Sequence, residues 1–449
     1  MSIALSEQGP AAPGRLGLLA QAGYGVGQIA GQVFRDVPSL LLMFFMTNVL
    51  GIEPALAGAA IFVPKLVWGV GCDLLVGILS DRWKHRFARR GWLLVGALGA
   101  PVALILLFHV PDLPVTARVA YVAVAFSLYM AVFACFSVPY LAIAGELSSD
   151  PHQRTVLMAW RLVFTALGVL VGGALAPYLV QSLGGGQPAY EGMSRFLAVI
   201  CPLSLVLAYF GSGRARRQAP AASVPQPAHR RLAAREVVAT LAAPRFSVLL
   251  LANLLQLAGS GMAYASMLYF LTYNMARTDA FQLIGGLVII ACAGIVAAQP
   301  AWVALARRIG KKPVYILAAA GYGVAYLGWS MSAGAGTVVA YAFSFVAAIF
   351  NSGWTLLGFS MMTDIAGDDQ AHAGLYSAAW IAVDKVGFAL GGTLLVGLVL
   401  SGFGFDAARA VAGQPQTDLA LTGVMLAFGV VPALLNVSSA LLYWRFGRA

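Results

Sequence analysis

Residues 77–86 read Gly77-Ile78-Leu79-Ser80-Asp81-Arg82-Trp83-Lys84-His85-Arg86, an apolar run that halts at an acid and breaks up into bases. A hydrophobic helix ending this way reads as a membrane span whose positive flank stays in the cytoplasm. The same punctuation returns at 304–312 as ALARRIGKK, and a second pair of loops also echoes, AGELSSD at 144–150 and TDIAGDD at 363–369. The chain therefore reads as two related halves, each with a basic loop followed by an acidic one.

Outward from these loops, apolar runs broken by polar residues, Pro or Gly place spans near 22–50, 54–80, 92–110, 116–143, 156–182 and 194–211. A second set follows near 246–273, 281–306, 313–332, 337–363, 375–401 and 419–444. The expected fold is an all-α membrane protein of twelve helices in two six-helix bundles, 1–211 and 246–449, joined by the Ala-, Pro- and Arg-rich cytoplasmic loop 212–245. Twin halves of this kind are the architecture of rocking secondary transporters, with the substrate held between the halves near mid-membrane.

Composition sets the same bounds. Of 449 residues, 60% are hydrophobic and 10% charged, which does not fit a water-facing surface. A span takes about 20 residues, so twelve leave no room for a sizeable soluble domain, and a soluble enzyme on a membrane anchor is excluded. No phosphate-cradling Gly-rich lysine loop, catalytic triad or metal-ligand cluster is legible, so neither catalysis nor a resident cofactor is expected. The net charge of +11 sits mainly in 82–90, 212–245 and 307–312, which share one side if the spans alternate. The opposite loops carry isolated Arg118, Arg195, Arg277 and Arg409. That is the pattern of membrane topology with both termini cytoplasmic, whereas a nucleic-acid binder needs a contiguous basic face. Cys72, Cys135, Cys201 and Cys292 lie singly in apolar stretches as core residues, and no cleaved signal peptide is expected at the N-terminus.

Seven ionisable residues fall inside the spans: Arg35, Asp36, Lys65, Asp73, Arg161, Asp384 and Lys385. Each costs about 2.5 to 3.5 kcal/mol to insert unless paired or facing water, so their number asks for a polar cavity. Asp36 follows Gln32 by four residues and shares its helix face. Asp384 and Lys385 project about 100 degrees apart round their helix, so only one of them can face the cavity centre. Trp68, Tyr140, Trp354, Tyr376 and Trp380 are candidates to stack on a sugar ring or line an acyl chain, and Tyr376 and Trp380 lie one turn apart.

The loop pattern of Gly77, Asp81, Arg82 and Arg86 resembles the signature loop of the major facilitator superfamily. Within it, most of the chain resembles the glycoside-pentoside-hexuronide cation symporters, the group that contains melibiose permease. The resemblance rests on AGYGVGQIAGQVFRD at 22–36, MTNVLG at 46–51, VWGVGCDLLVGILSDR at 67–82, SVPYLAIAGELSSDPHQRT at 137–155 and WRLVF at 160–164. In the second half it rests on MMTDIAGDDQAHAGLYSAAWIAVDKVGFALGG at 361–392.

The resemblance implies roles for particular residues. Arg161 stands at the span-five arginine of the sugar site, Lys385 at the span-eleven lysine near the cation and sugar sites, and Asp73 at the second acid of the span-two cation motif. Three positions depart: Gly69 replaces the first acid of that motif, Gln32 the span-one aspartate, and Ser137 a span-four Asp or Asn. The expected substrate site is therefore Arg161, Lys385, Gln32, Ser137, Tyr376 and Trp380, with coupling through Asp73 and Asp36 and a sodium site, if there is one, near Asp73. In the signature loop, Gly77 permits close helix approach while Asp81, Arg82 and Arg86 make charged contacts. Glu146 and Asp364, at equivalent ends of spans four and ten, are expected to pair with Arg154 or nearby loop charges.

The function expected from these readings is cation-coupled symport of a sugar, glycoside or hexuronide, driven by sodium or protons, by a monomer in a bacterial cytoplasmic membrane. Carriage of a lysophospholipid or other amphiphile is the alternative, and a non-transporting sensor or partner subunit is another.

Overall fold

The computed structural model describes residues 17–83, 87–147, 151–218, 239–369 and 372–447. Twelve helices among them are long and apolar enough to cross a membrane. Spans 1 to 6 are Leu18–Asn48, Pro54–Ser80, Gly91–Phe108, Val115–Ile143, Val156–Ser182 and Gly186–Gly213. Spans 7 to 12 are Pro244–Asn274, Ala280–Ile309, Lys311–Met331, Thr337–Asp368, Leu375–Gly402 and Asp418–Phe446. A helix bonds every backbone N–H and C=O within itself, which is what a hydrocarbon surround demands. Large apolar side chains such as Leu98 and Val338 are left exposed on the outer faces, where lipid rather than water would meet them.

Span 6 starts earlier than its apolar run suggests. Gln187 and Glu191 are polar but satisfied, Gln187 donating to the Val110 carbonyl at 2.7 Å and Glu191 meeting His109 Nδ1 at 3.1 Å, so the helix begins at Gly186. Its helix also continues to Gln218, into the loop expected from 212; residues 219–238 of that loop lie outside the described residues.

The two halves repeat each other in backbone detail. Spans 1 and 7 each widen into one π-helical turn, Pro38–Leu42 and Phe270–Asn274, and spans 5 and 11 do the same at Leu170–Leu175 and Leu390–Leu395. Small residues set the matching contacts. A side chain at Gly172 of span 5 would stand 3.2 Å from Asp36 Cβ of span 1, and one at Gly391 of span 11 would run into the Ala258 carbonyl of span 7. Close backbone approach through glycine is how helices pack where lipid supplies no hydrophobic drive between them.

The halves meet most closely at the end where spans 1, 5, 7 and 11 finish. There the Thr47 and Tyr269 hydroxyls bond at 2.6 Å, the Ala55 amide donates to Ser401 Oγ at 2.9 Å, and Gln181 donates to the Thr278 carbonyl at 3.1 Å. Phe44 packs edge-on against Tyr269 and Phe281. The opposite end, where span 1 begins and span 12 finishes, is where the bundles diverge.

Candidate functional site

Between that closed end and the divergent one lies a cavity of about 560 Å³. Spans 7, 8, 9, 10 and 11 build nearly all of its wall, through residues such as Asn253, Tyr264, Tyr322, Trp354 and Trp380, while the first bundle contributes Arg35 and Val169. Phe359 and Ile381, on the terminus-side halves of spans 10 and 11, line it and are exposed, so the cavity opens toward that end.

Of the ionisable residues picked out in the sequence, Arg35 and Asp384 border the cavity, and the others form linked groups. Lys385 of span 11 is ion-paired with Asp73 of span 2, joining the bundles. On span 1, the Gln32 amide donates to both carboxylate oxygens of Asp36, at 3.0 and 2.9 Å, and both side chains are buried. This contact follows from their four-residue spacing, and it takes the place of an Asp36 ion pair to a neighbouring cation. On span 5, Arg161 Nε donates to Gln28 Oε1 at 2.8 Å and its guanidinium lies 5.9 Å from the centre of the Tyr140 ring. Tyr140 in turn donates to the Tyr24 carbonyl at 2.7 Å and stacks on the Tyr24 ring at 4.8 Å, fixing a polar and aromatic wall inside the first bundle.

Phe388 ties two further cations to the second bundle. Arg35 of span 1 and Lys65 of span 2 each lie 5.7 Å from the centre of its ring. A cation over an aromatic face is stabilised when water is scarce, so this ring holds together what charge repulsion would push apart.

Of the expected substrate residues, Trp380 lines the cavity and Arg161, Lys385, Gln32, Ser137 and Tyr376 do not. Of the adjacent pair on span 11, it is Asp384 that borders the cavity, while Lys385 turns to Asp73. Tyr376 sits at the terminus-side end of span 11, its hydroxyl donating to Asp369 at 3.1 Å and its ring edge-on to Phe246. Ser137 is half-buried on span 4.

Gly77 does not mark a close helix approach. A side chain there would meet nothing nearer than Val138 Cγ1 at 3.9 Å, an ordinary contact, so the crowded glycines lie elsewhere, Gly58 of span 2 and Gly391 of span 11 among them. Arg82 is exposed at its helix end. Arg86 lies outside the described residues, as do the side chains of Asp81 and Glu146. Asp364 meets Lys311 at 2.5 Å, joining spans 10 and 9 at the terminus-side surface.

Sequence reasoning passed over Asn253, Tyr264, Tyr322 and Asn351, all of which line the cavity. The signal available was the polar content of LANLLQLAGSG at 251–261 and the lone amide of Asn351 in an otherwise apolar span.

A cavity on the inner side of the second bundle, bordered by spans 1 and 5 of the first and lying within two bundles of repeated topology, is compatible with the geometry of a carrier. The family model described as MFS/sugar transport protein matches residues 23–447. The chain belongs to that family. It is 25% identical over 445 residues to the inner membrane symporter YicJ of Escherichia coli (strain K12), covering 96% of this chain and 92% of that one. It is also 25% identical over 377 residues to the sphingosine-1-phosphate transporter MFSD2B of Mus musculus, covering 80% of this chain and 74% of that one. The fold matches the crystal structure of a bacterial homologue to the human lysosomal transporter Spinster, inward-facing and unoccupied, with a TM-score of 0.68 at 13% identity over 96% of this chain and 98% of that one. The chain is therefore an integral membrane transporter of the major facilitator fold, and not an enzyme.

Proposed function

We propose that this transporter carries a glycoside or hexuronide together with a proton or sodium ion, by alternating access. The observation that carries the reading is the cavity walled by aromatic rings, amides and hydroxyls, with Arg35 of the first bundle and Asp384 of the second at its edge. Such a wall suits a ring compound with many oxygen acceptors, and the family's description as sugar transport proteins agrees.

Asp73 is the natural coupling carboxylate. In this state it neutralises Lys385; a proton or cation arriving at Asp73 would release the ammonium and with it a tie between the bundles. A single carboxylate already held by lysine suits a proton better than sodium, which asks for several oxygen ligands at once. Coupling then requires ion and sugar each to raise the affinity for the other, because linkage is reciprocal.

The basic loops support a reading with both termini in the cytoplasm, and the likeness to an inner membrane symporter supports a bacterial cytoplasmic membrane, in which the chain would act as a monomer. In this orientation the cavity opens inward. The amphiphile reading keeps one observation in its favour: much of the cavity wall is apolar, and the mouse relative carries a sphingolipid phosphate.

Uptake of labelled glycosides by proteoliposomes under an imposed proton or sodium gradient tests the proposal. Accumulation that collapses with the matching ionophore supports it, and uptake indifferent to both gradients makes the chain a uniporter.

A further inference from the structure

Asp73, the acid that holds Lys385, does not border the cavity, so a proton bound there has no direct route to water at the open end. Asp384 does border it, and it stands one residue before Lys385 on span 11, which brings it to the same place as Asp73. Among the described residues Asp384 makes no hydrogen bond and no ion pair. The other two acids are committed: Asp36 is buried with both oxygens on the Gln32 amide, and Asp73 is held by Lys385. Neutralising a paired acid strands its partner, whereas Asp384 has no direct partner to strand.

What balances Asp384 reaches it across the seam between the bundles. Phe388 follows it by four residues on the same helix face, and both line the cavity. The Lys65 ammonium of span 2 lies 5.7 Å from the centre of the Phe388 ring and within the fields of Asp384 and Asp36. The other charged or titratable groups around this corner are Arg35 of span 1, Asp73 of span 2, Lys385 of span 11, Tyr264 of span 7 and Cys292 of span 8. Of the carboxylates in this set Asp384 is the one that touches the cavity, and a cation nearby is what lets an acid at this depth stand ionised.

Resting on the proton-coupled reading above, we infer that Asp384 is the station through which the coupled proton passes between Asp73 and the cavity, with Lys65 as its counter-charge. In the loaded carrier the proton sits on a carboxyl oxygen of Asp73 and Lys385 is free. When the cavity opens inward, that proton moves to a carboxylate oxygen of Asp384, and Asp73, now ionised, takes Lys385. Asp384 then gives the proton to cavity water and is left ionised in the field of Lys65. The arrangement found here, with Asp73 on Lys385 and the cavity open on the terminus side, is the one that follows release.

Proteoliposomes of the full-length protein, given labelled methyl glucoside and methyl glucuronide, separate the outcomes. Proton-driven accumulation needs a proton released in every cycle, whereas counterflow needs only that the loaded carrier reorient. Asp384→Asn is expected to slow accumulation about a hundredfold while counterflow stays near the parent rate, and Asp384→Glu, which keeps the carboxyl, is expected to restore accumulation. Should Asp384→Asn unfold, as a melting curve would show, the double variant Lys65→Gln with Asp384→Asn removes both charges and is expected to show the same split. Asp384→Asn that accumulates like the parent, or that loses counterflow in step with accumulation, overturns the inference and leaves coupling through Asp73 standing. If the parent accumulates neither probe under a proton gradient, the coupling reading fails and the inference fails with it.

Discussion

Lys385 of the second bundle reaches Asp73 of the first, so an ion pair crosses the line along which the bundles must part. Removing one partner strands a charge in a low-dielectric setting, whereas removing both does not. Lys385→Ala and Asp73→Ala are therefore each expected to lower the melting temperature, with the double variant regaining part of the loss. A double-mutant cycle on the purified protein reads this directly. Strictly additive losses would mean the pair contributes nothing to the folded state.

Packing at span 11 gives a second test. A methyl at Gly391 would press on the Ala258 carbonyl, part of the rigid backbone of span 7, so Gly391→Ala is expected to cost about 1–3 kcal/mol. At Gly71 on span 2 a methyl meets nothing within 4 Å, and Gly71→Ala should stay within about 0.5 kcal/mol of the parent. Equal effects at the two positions would contradict the close contact of spans 7 and 11.

The twelve spans were legible because lipid leaves a chain few alternatives, so apolar length and basic flanks suffice. The start of span 6 was not, since Gln187 and Glu191 look like loop residues until their partners Val110 and His109 are known. Within the site, Asp36, Asp73, Arg161 and Lys385 announce themselves by the cost of placing charge in a membrane. That cost says nothing of who pairs with whom, and the union of Asp73 with Lys385 spans the two halves of the chain, beyond any helical spacing. Trp354 and Trp380 were among the aromatic candidates, but the rest of the cavity wall stayed hidden for a different reason: Asn253, Tyr264 and Tyr322 are neutral, and a neutral polar or aromatic side chain in a span reads as packing until a cavity is seen beside it.

At the terminus-side end of span 11, Asp369 accepts from the Tyr376 hydroxyl at 3.1 Å and faces His372 Nδ1 at 3.0 Å. The bond from His372, with that from Tyr376, holds the Asp369 carboxyl below its ordinary value of 3.8. A depressed acid stabilises the fold fully above its unfolded value and loses that contribution as pH falls through the folded one. The melting temperature of Asp369→Asn should thus lie below the parent's at pH 6, with the gap closing below about pH 4. A gap that widens on acidification would reverse the assignment.

Arg161 holds Gln28 through Nε while its plane lies near Tyr140, a geometry that a lysine ammonium does not reproduce. Arg161→Lys is expected to slow transport about tenfold while conserving the charge. Parallel melting curves show whether the loss is positional or a collapse of the bundle. Transport by Arg161→Lys equal to the parent's would reduce Arg161 to a charge with no directional role.

The central claim is that the bundles must separate at the end where the Ala55 amide now bonds to Ser401 Oγ. With the four native cysteines replaced, Cys at positions 55 and 401 should form a disulfide that locks this end shut. Glycoside counterflow in proteoliposomes is the measurement: it is predicted to stop on oxidation and return on reduction, while glycoside binding from the terminus side persists. Counterflow at the parent rate through a fully cross-linked chain would contradict alternating access between these two bundles.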